Sequence, residues 1–183
     1  IIGKTYNLFV GPQLCAIGKI TGTPTLYVTD DDIHTTPNQI PNFEMSDYVL
    51  APKLCDIGSY NHKRIYYDSH KALAHLHPNY FSPNTKNIPS CLRNSSRYFM
   101  IRLSKYNSIH DSESRNGIDD KALEIIVSKL SGKGDIFISS ERRLPESFKK
   151  YLIEIEKKSI SDILSQSSLL VSDSTTMIAE AAT

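Results

Sequence analysis

The second half of the chain alternates strand-like and helix-like runs, and this limits the folds open to it. "RYFMIRLS" (97–104) is a strong strand, and "IDDKALEIIVSKLSGKG" (118–134) is an amphipathic helix. Ile118, Ala122, Ile125, Ile126 and Leu130 fall near one face of that helix, and glycines close it. "DIFISS" is a strand, "LPESFKKY" a short helix and "LIEI" a short strand. "SISDILSQS" is a helix with Ser159 or Ser161 as N-cap, "SLLVSD" a strand, and "STTMIAEAAT" begins a helix. Strands separated by helices pair in parallel, so this order predicts a doubly wound α/β domain.

The first half is less regular but similar in kind. "NLFVG" reads as a short buried strand, followed by the helix "PQLCAIGKITG", with Pro12 at its first position and Gly22 at its end. "TPTLYVTD", "YVLAP" and "RIYYD" are strands, with a polar loop holding one turn of helix after the first of them. "SHKALAHLHPNYFSPNTKNIPS" breaks the alternation with three prolines and no strand. The expected organisation is a first lobe over 1–69, a linker over 70–96 and a second lobe over 97–183. The start at Ile1 and the stop in mid-helix at Ala-Ala-Thr predict a piece of a longer protein.

Bulk properties exclude some functions. A net charge of +1 over 183 residues gives no reason to expect nucleic acid. No apolar run approaches the roughly 20 residues that span a bilayer. Cys15, Cys55 and Cys91 lie far apart without CxxC spacing, which fits a reduced cytoplasmic location.

In open parallel sheets, ligands gather where strands end and helices begin. The strand 168–172 hands over to a helix starting near Ser174, whose first amides lack intrahelical partners and carry the positive end of the dipole. Ser174, Thr175 and Thr176 add hydroxyls, making a cradle for diphosphate; Glu180, over a turn further on, can accept two hydrogen bonds from a ribose diol. The same residues also read as a plain N-cap, Asp173 or Ser174, followed by a solvated acid.

"SDSTTMIAEAA" resembles the nucleotide-binding stretch of GT-B-fold enzymes such as the non-hydrolysing UDP-N-acetylglucosamine 2-epimerases, whose pattern is Asp-Ser-Gly-Gly, three residues, then Glu. Asp173, Ser174, Thr175, Thr176 and Glu180 keep that spacing, with threonines where the family has glycines. "GTPTLYVTDDDI", "HKALAHLHPNYFSP", "YFMIRLSKYNSIHDSESRNGI", "IFISSERRLP" and "DSTTMIAEA" together are similar to an uncharacterised GT-B-like family of prokaryotic surface-polysaccharide clusters. The resemblance implies two Rossmann-type lobes with parallel sheets facing a cleft. It also implies a glycosyltransferase or epimerase-like activity on a UDP-sugar, with the diphosphate on Ser174–Thr176 and the ribose on Glu180. No further cofactor is required. A lipid-linked acceptor would allow peripheral membrane association, and a homodimer is compatible with the resemblance. The rival reading is a nucleotide-sugar-binding module or remnant without chemistry.

Other strand ends offer candidates. His110, in the polar loop after "YFMIRLS", is a natural phosphate or sugar contact, and Arg102 and Lys105 can supply charge to a diphosphate. Glu141 and Arg142 of "SSERRLP" end the next strand, with Ser140 and Arg143 beside them. Asp30, Asp31 and Asp32, with His34 nearby, end a strand of the first lobe. Adjacent acids can raise one pKa into the range of acid–base work, hold Mg²⁺, or serve only as a charge run. The epimerase His-Val-Glu motif is missing there. His70, His75 and His77 suggest a metal by spacing but lack cysteine or HExxH partners, so His70 with Lys71 reads as a sugar contact in a hinge and no metal is assigned.

Overall fold

The computed structural model describes residues 6–105 and 117–183. They form two compact units, divided between Lys71 and Ala72.

The first unit carries strands β1 (Phe9–Val10), β2 (Thr25–Val28), β3 (Tyr48–Pro52) and β4 (Arg64–Tyr67) in that spatial order, all parallel. Helix α1 (Pro12–Thr21) begins on Pro12 and ends on Gly22, which adopts the left-handed conformation at φ 67. A Cβ on Gly18 would lie 2.0 Å from Thr25 Cγ2, so a glycine lets α1 approach the start of β2. Asp47 fixes the same end: its carboxylate accepts from the Thr25 N–H and hydroxyl, both at 2.9 Å. Those Thr25 bonds, with Lys19 and Lys63 nearby, hold the Asp47 carboxyl below its ordinary pKa. Helix α2 (Ile40–Met45) is closed by Lys63, whose ammonium donates to the carbonyls of Phe43, Glu44 and Ser46 at 3.0, 3.0 and 2.8 Å. Phe43 anchors the core, edge-on to Tyr27 and stacked on Tyr60.

The second unit opens with two short helices, α3 (Leu73–Leu76) and α4 (Ser90–Arg93). Its sheet is β5 (Tyr98–Leu103), β6 (Asp135–Ser140) and β7 (Leu169–Ser172) in the order β6-β5-β7, again parallel. Central β5 is buried on both faces, as its nearly continuous apolar run requires. Phe99, Ile101 and Leu103 pack with Leu123 and Val127 of α5 (Asp120–Leu130), while Tyr98 and Met100 pack with Ile163 of α6 (Ile160–Gln166). Burial pushes the Tyr98 phenol up to about 12, and its hydroxyl donates to the Ile163 carbonyl at 2.6 Å. Helix α7 (Thr175–Ala181) follows β7. Both units are thus Rossmann-like α/β lobes with parallel sheets. Among the described residues no helix is long and apolar enough to cross a membrane.

Three elements differ from expectation. The run "LPESFKKY" forms a 3-10 turn over Glu146–Tyr151, and "LIEI" makes only one bridge, Leu152 to Ile138. The stretch 72–96 is not a free linker but part of the second unit. Ile88 and Leu92 enter its core, and buried Asp162 accepts from the Asn84 N–H and the Asn87 side-chain amide, each at 2.7 Å. Single apolar residues between prolines carry no periodicity, so the sequence pattern cannot announce this packing.

Candidate functional site at the carboxyl edge of the second sheet

From β5 the chain steps outward to β6 and then returns to β7 on the other side of β5. The carboxyl ends of β5 and β7 therefore flank a topological switch point, the usual ligand position in open parallel sheets. Three connections meet there, and Asp173 ties them together. Its carboxylate, only 4% exposed, accepts from the Ser104 N–H at 2.6 Å and pairs with the Arg142 guanidinium at 3.4 Å. Arg142, 13% exposed, also donates to the Ile118 carbonyl. The Ser140 hydroxyl holds the turn, accepting from the Arg142 N–H at 3.1 Å and donating to the Arg142 carbonyl at 2.8 Å.

Arg102 is fixed beside this cluster. It donates to the Ser139 hydroxyl at 2.8 Å and pairs with Glu141. It shares a small apolar recess with Met177 in the first turn of α7. Ser174 is the N-cap of α7: its hydroxyl accepts from the Met177 N–H at 3.4 Å. Thr175 and Thr176 are exposed.

Glu180 lies elsewhere on α7. Its side chain is 17% exposed and opens into a cavity of about 280 Å³ walled by Leu76, Pro78, Phe81, Pro83 and Leu164. His75 Nε2 lies 3.6 Å from the Glu180 carboxylate. Ser174, Thr175 and Thr176 do not line this cavity, so the structure brings Glu180 and the three hydroxyls onto one helix but not into one cavity. Arg102, Glu141 and Arg142 do gather at one edge with Asp173 and Ser174. His110 lies outside the described residues.

The acids of the first unit sit at the carboxyl ends of β2 and β3 with other partners. Asp30 pairs with Lys71 at 3.1 Å, and the Asp31 N–H donates to the Thr29 hydroxyl at 3.2 Å. Asp32 accepts from the Asp56 N–H at 2.7 Å. His34 stands 4.0 Å from the Asp32 carboxylate and 3.8 Å from that of Asp56. The Cys55 thiol donates to the Asp31 carbonyl at 3.0 Å. Burial first, then the Asp32 carboxylate, push that thiol up to about 11. His70 is exposed. Among the described residues no three His, Cys, Asp or Glu side chains group as a metal site.

Sequence reasoning missed two contributors. Asp173 appears in the motif only as a possible cap, because its partners Ser104 and Arg142 lie 69 and 31 residues away. His75 was read as hinge rather than as the partner of Glu180. Neither pairing leaves a local sequence signal. No protein-family model, curated protein or solved structure matches the chain.

Proposed function

We propose that the chain is a GT-B-type nucleotide-sugar enzyme, a glycosyltransferase or 2-epimerase-like enzyme that takes a UDP-sugar in surface polysaccharide synthesis, with the nucleotide on the second lobe. The observation that carries this reading is the Glu180 cavity: apolar walls with one half-shielded carboxylate. A nucleoside offers the complementary shape and chemistry, a flat and largely apolar base beside a ribose diol that donates two hydrogen bonds. Ser174 precedes Glu180 by six residues, roughly 9 Å along the helix, which suits a diphosphate attached to that ribose. Arg102, beside the first turn of α7, supplies the positive charge such a group needs. His75 Nε2 stands 3.6 Å from the Glu180 carboxylate, close enough to meet a ribose bound there.

Calorimetry with UDP and UDP-N-acetylglucosamine tests the reading. The protein is expected to bind both, and Glu180→Ala to weaken binding by about tenfold or more, the loss of hydrogen bonds to a charged acceptor. Absence of any UDP or UDP-sugar binding overturns the donor-site assignment.

A second reading, a nucleotide-sugar-binding module without chemistry, is favoured by one observation. Asp30 and Asp32 are engaged by Lys71 and the Asp56 amide rather than left free as bases. Binding without turnover of any sugar nucleotide decides for the module; turnover lost in Asp31→Asn decides for the enzyme, with that acid as base.

A further inference from the structure

We infer that Asp173 and Arg142 are a positioning pair that sets the carboxyl edge of the second sheet for its ligand; what that ligand is rests on the nucleotide reading above. Among the described residues the two side chains are the least exposed ion pair of this unit at 4% and 13%, and each makes a second bond to backbone. Asp173 holds the Ser104 amide, just past the end of β5. Arg142 holds the Ile118 carbonyl, just before α5. Both ends of the β5–α5 connection are therefore fastened to residues that follow β6 and β7. Asp173 also immediately precedes Ser174, so the same carboxylate ties the N-cap of α7 to the end of β5.

A buried ion pair is a poor device for stability alone, since desolvation offsets most of its attraction. Its distinctive property is geometry: a planar guanidinium and a carboxylate, each with a fixed second partner, define the spacing of four strand and helix ends at once. That spacing is what a ligand bridging the switch point must meet. The pair itself need not touch the ligand. Asp173 spends one oxygen on an amide and the other on Arg142, so it acts through the segments it holds.

The experiment uses Asp173→Asn and Arg142→Lys with Asp173→Ala. Asparagine keeps an acceptor for the Ser104 N–H but loses the charge; lysine keeps the charge but not the two-pronged reach to Asp173 and Ile118. Three readouts are followed in each: thermal midpoint, amide exchange at Ser104 against Ile101, and UDP affinity by calorimetry. A positioning pair predicts that Asp173→Ala speeds Ser104 exchange at least about tenfold with Ile101 unchanged, a local opening. It further predicts that Arg142→Lys and Asp173→Asn weaken UDP about tenfold in folded protein. A purely structural role instead lowers the midpoint and speeds Ser104 and Ile101 together, with UDP affinity unchanged in variants that remain folded, and this overturns the proposal. Should Asp173→Ala fail to fold, the Asn and Lys variants carry the decision. Should the wild-type protein bind no UDP, the nucleotide reading fails by itself. The pair is then judged on local exchange: selective opening of Ser104 in Arg142→Lys upholds it, and no selective opening sinks it.

Discussion

The two parallel sheets end in contrasting ways. At the carboxyl edge of the first, the charged groups bond from one connection to another but are largely exposed: Asp30 to Lys71, Asp32 to the Asp56 amide, His34 between two carboxylates. At the carboxyl edge of the second, charged groups are shielded and bonded across the sheet, from β7 to β5 and β6. The same element type, a strand end followed by polar residues, thus yields a solvated loop in one unit and a cross-braced platform in the other. Charge density does not distinguish them, since the first edge has more successive acids. What distinguishes them is whether the polar side chain is shielded from water. Only the shielded arrangement holds its segments against competition from water, which is what preorganised binding requires.

The largest expected effect breaks the second edge. Asp173→Ala takes a shielded carboxylate from Arg142 and leaves the Ser104 amide without its acceptor, at a cost of about 3 kcal/mol. Urea denaturation measures it, and a loss below about 1 kcal/mol would place this pair among ordinary surface contacts. Next comes the thiol of the first edge. Cys55 is raised from 9.0 to about 11, whereas Cys91 is exposed. At pH 8 a rise of that size lowers the Cys55 thiolate fraction about a hundredfold, so alkylation of native protein should modify exposed Cys91 first and buried Cys55 much more slowly. The sign for stability follows. The folded thiol binds its proton more tightly than the unfolded one, so its contribution is full below pH 9 and is lost as pH rises toward 11. Rapid labelling of Cys55 at pH 8 would mean that the first edge is more open than its burial indicates.

Much of the scaffold is legible in the sequence, because strands and helices here follow apolar runs and periodicity. Pro12 and Gly22 bracket α1, the amphipathic stretch gives α5, and the apolar run gives central β5. Ser174 is the N-cap, one of the readings its position allows. The bracing of the site is not legible. Asp173 needs a partner 69 residues back and another 31 residues back, and no local pattern encodes a pair that only the sheet order brings together. Asp162 is similar: within a short helix it looks like a first-turn acid complementing the dipole, yet it is buried and holds Asn84 and Asn87. In both cases a carboxylate's role is set by backbone amides from distant sequence, which composition and spacing do not record.

Smaller effects sharpen the contrast from the first edge. Asp32→Ala removes the acceptor of the Asp56 N–H, an exposed bond, and should cost about 1 kcal/mol by urea denaturation. It should also lower the Cys55 pKa, since Asp32 is the leading charge that raises it, and so speed Cys55 alkylation at pH 8. A stability loss above about 3 kcal/mol would show Asp32 to be bracing of the Asp173 kind.

The smallest expected effect is that of Lys71→Gln. Lys71 and Asp30 have side chains 65% and 34% exposed, so their 3.1 Å contact lies in high dielectric and competes with water and salt. Exposed pairs of this geometry contribute about 0.2–1 kcal/mol, and the Lys71 end is the more exposed partner. The loss should therefore stay below about 0.5 kcal/mol at low salt and vanish near 1 M salt, where screening acts within about 3 Å. Arg142→Lys in the second unit offers the matched measurement, because its pair is shielded and its loss should persist at 1 M salt. If Lys71→Gln proves as costly and as salt-insensitive as Arg142→Lys, the two edges are built alike. Asp30 to Asp32 then regain a claim as preorganised chemistry rather than a solvated loop.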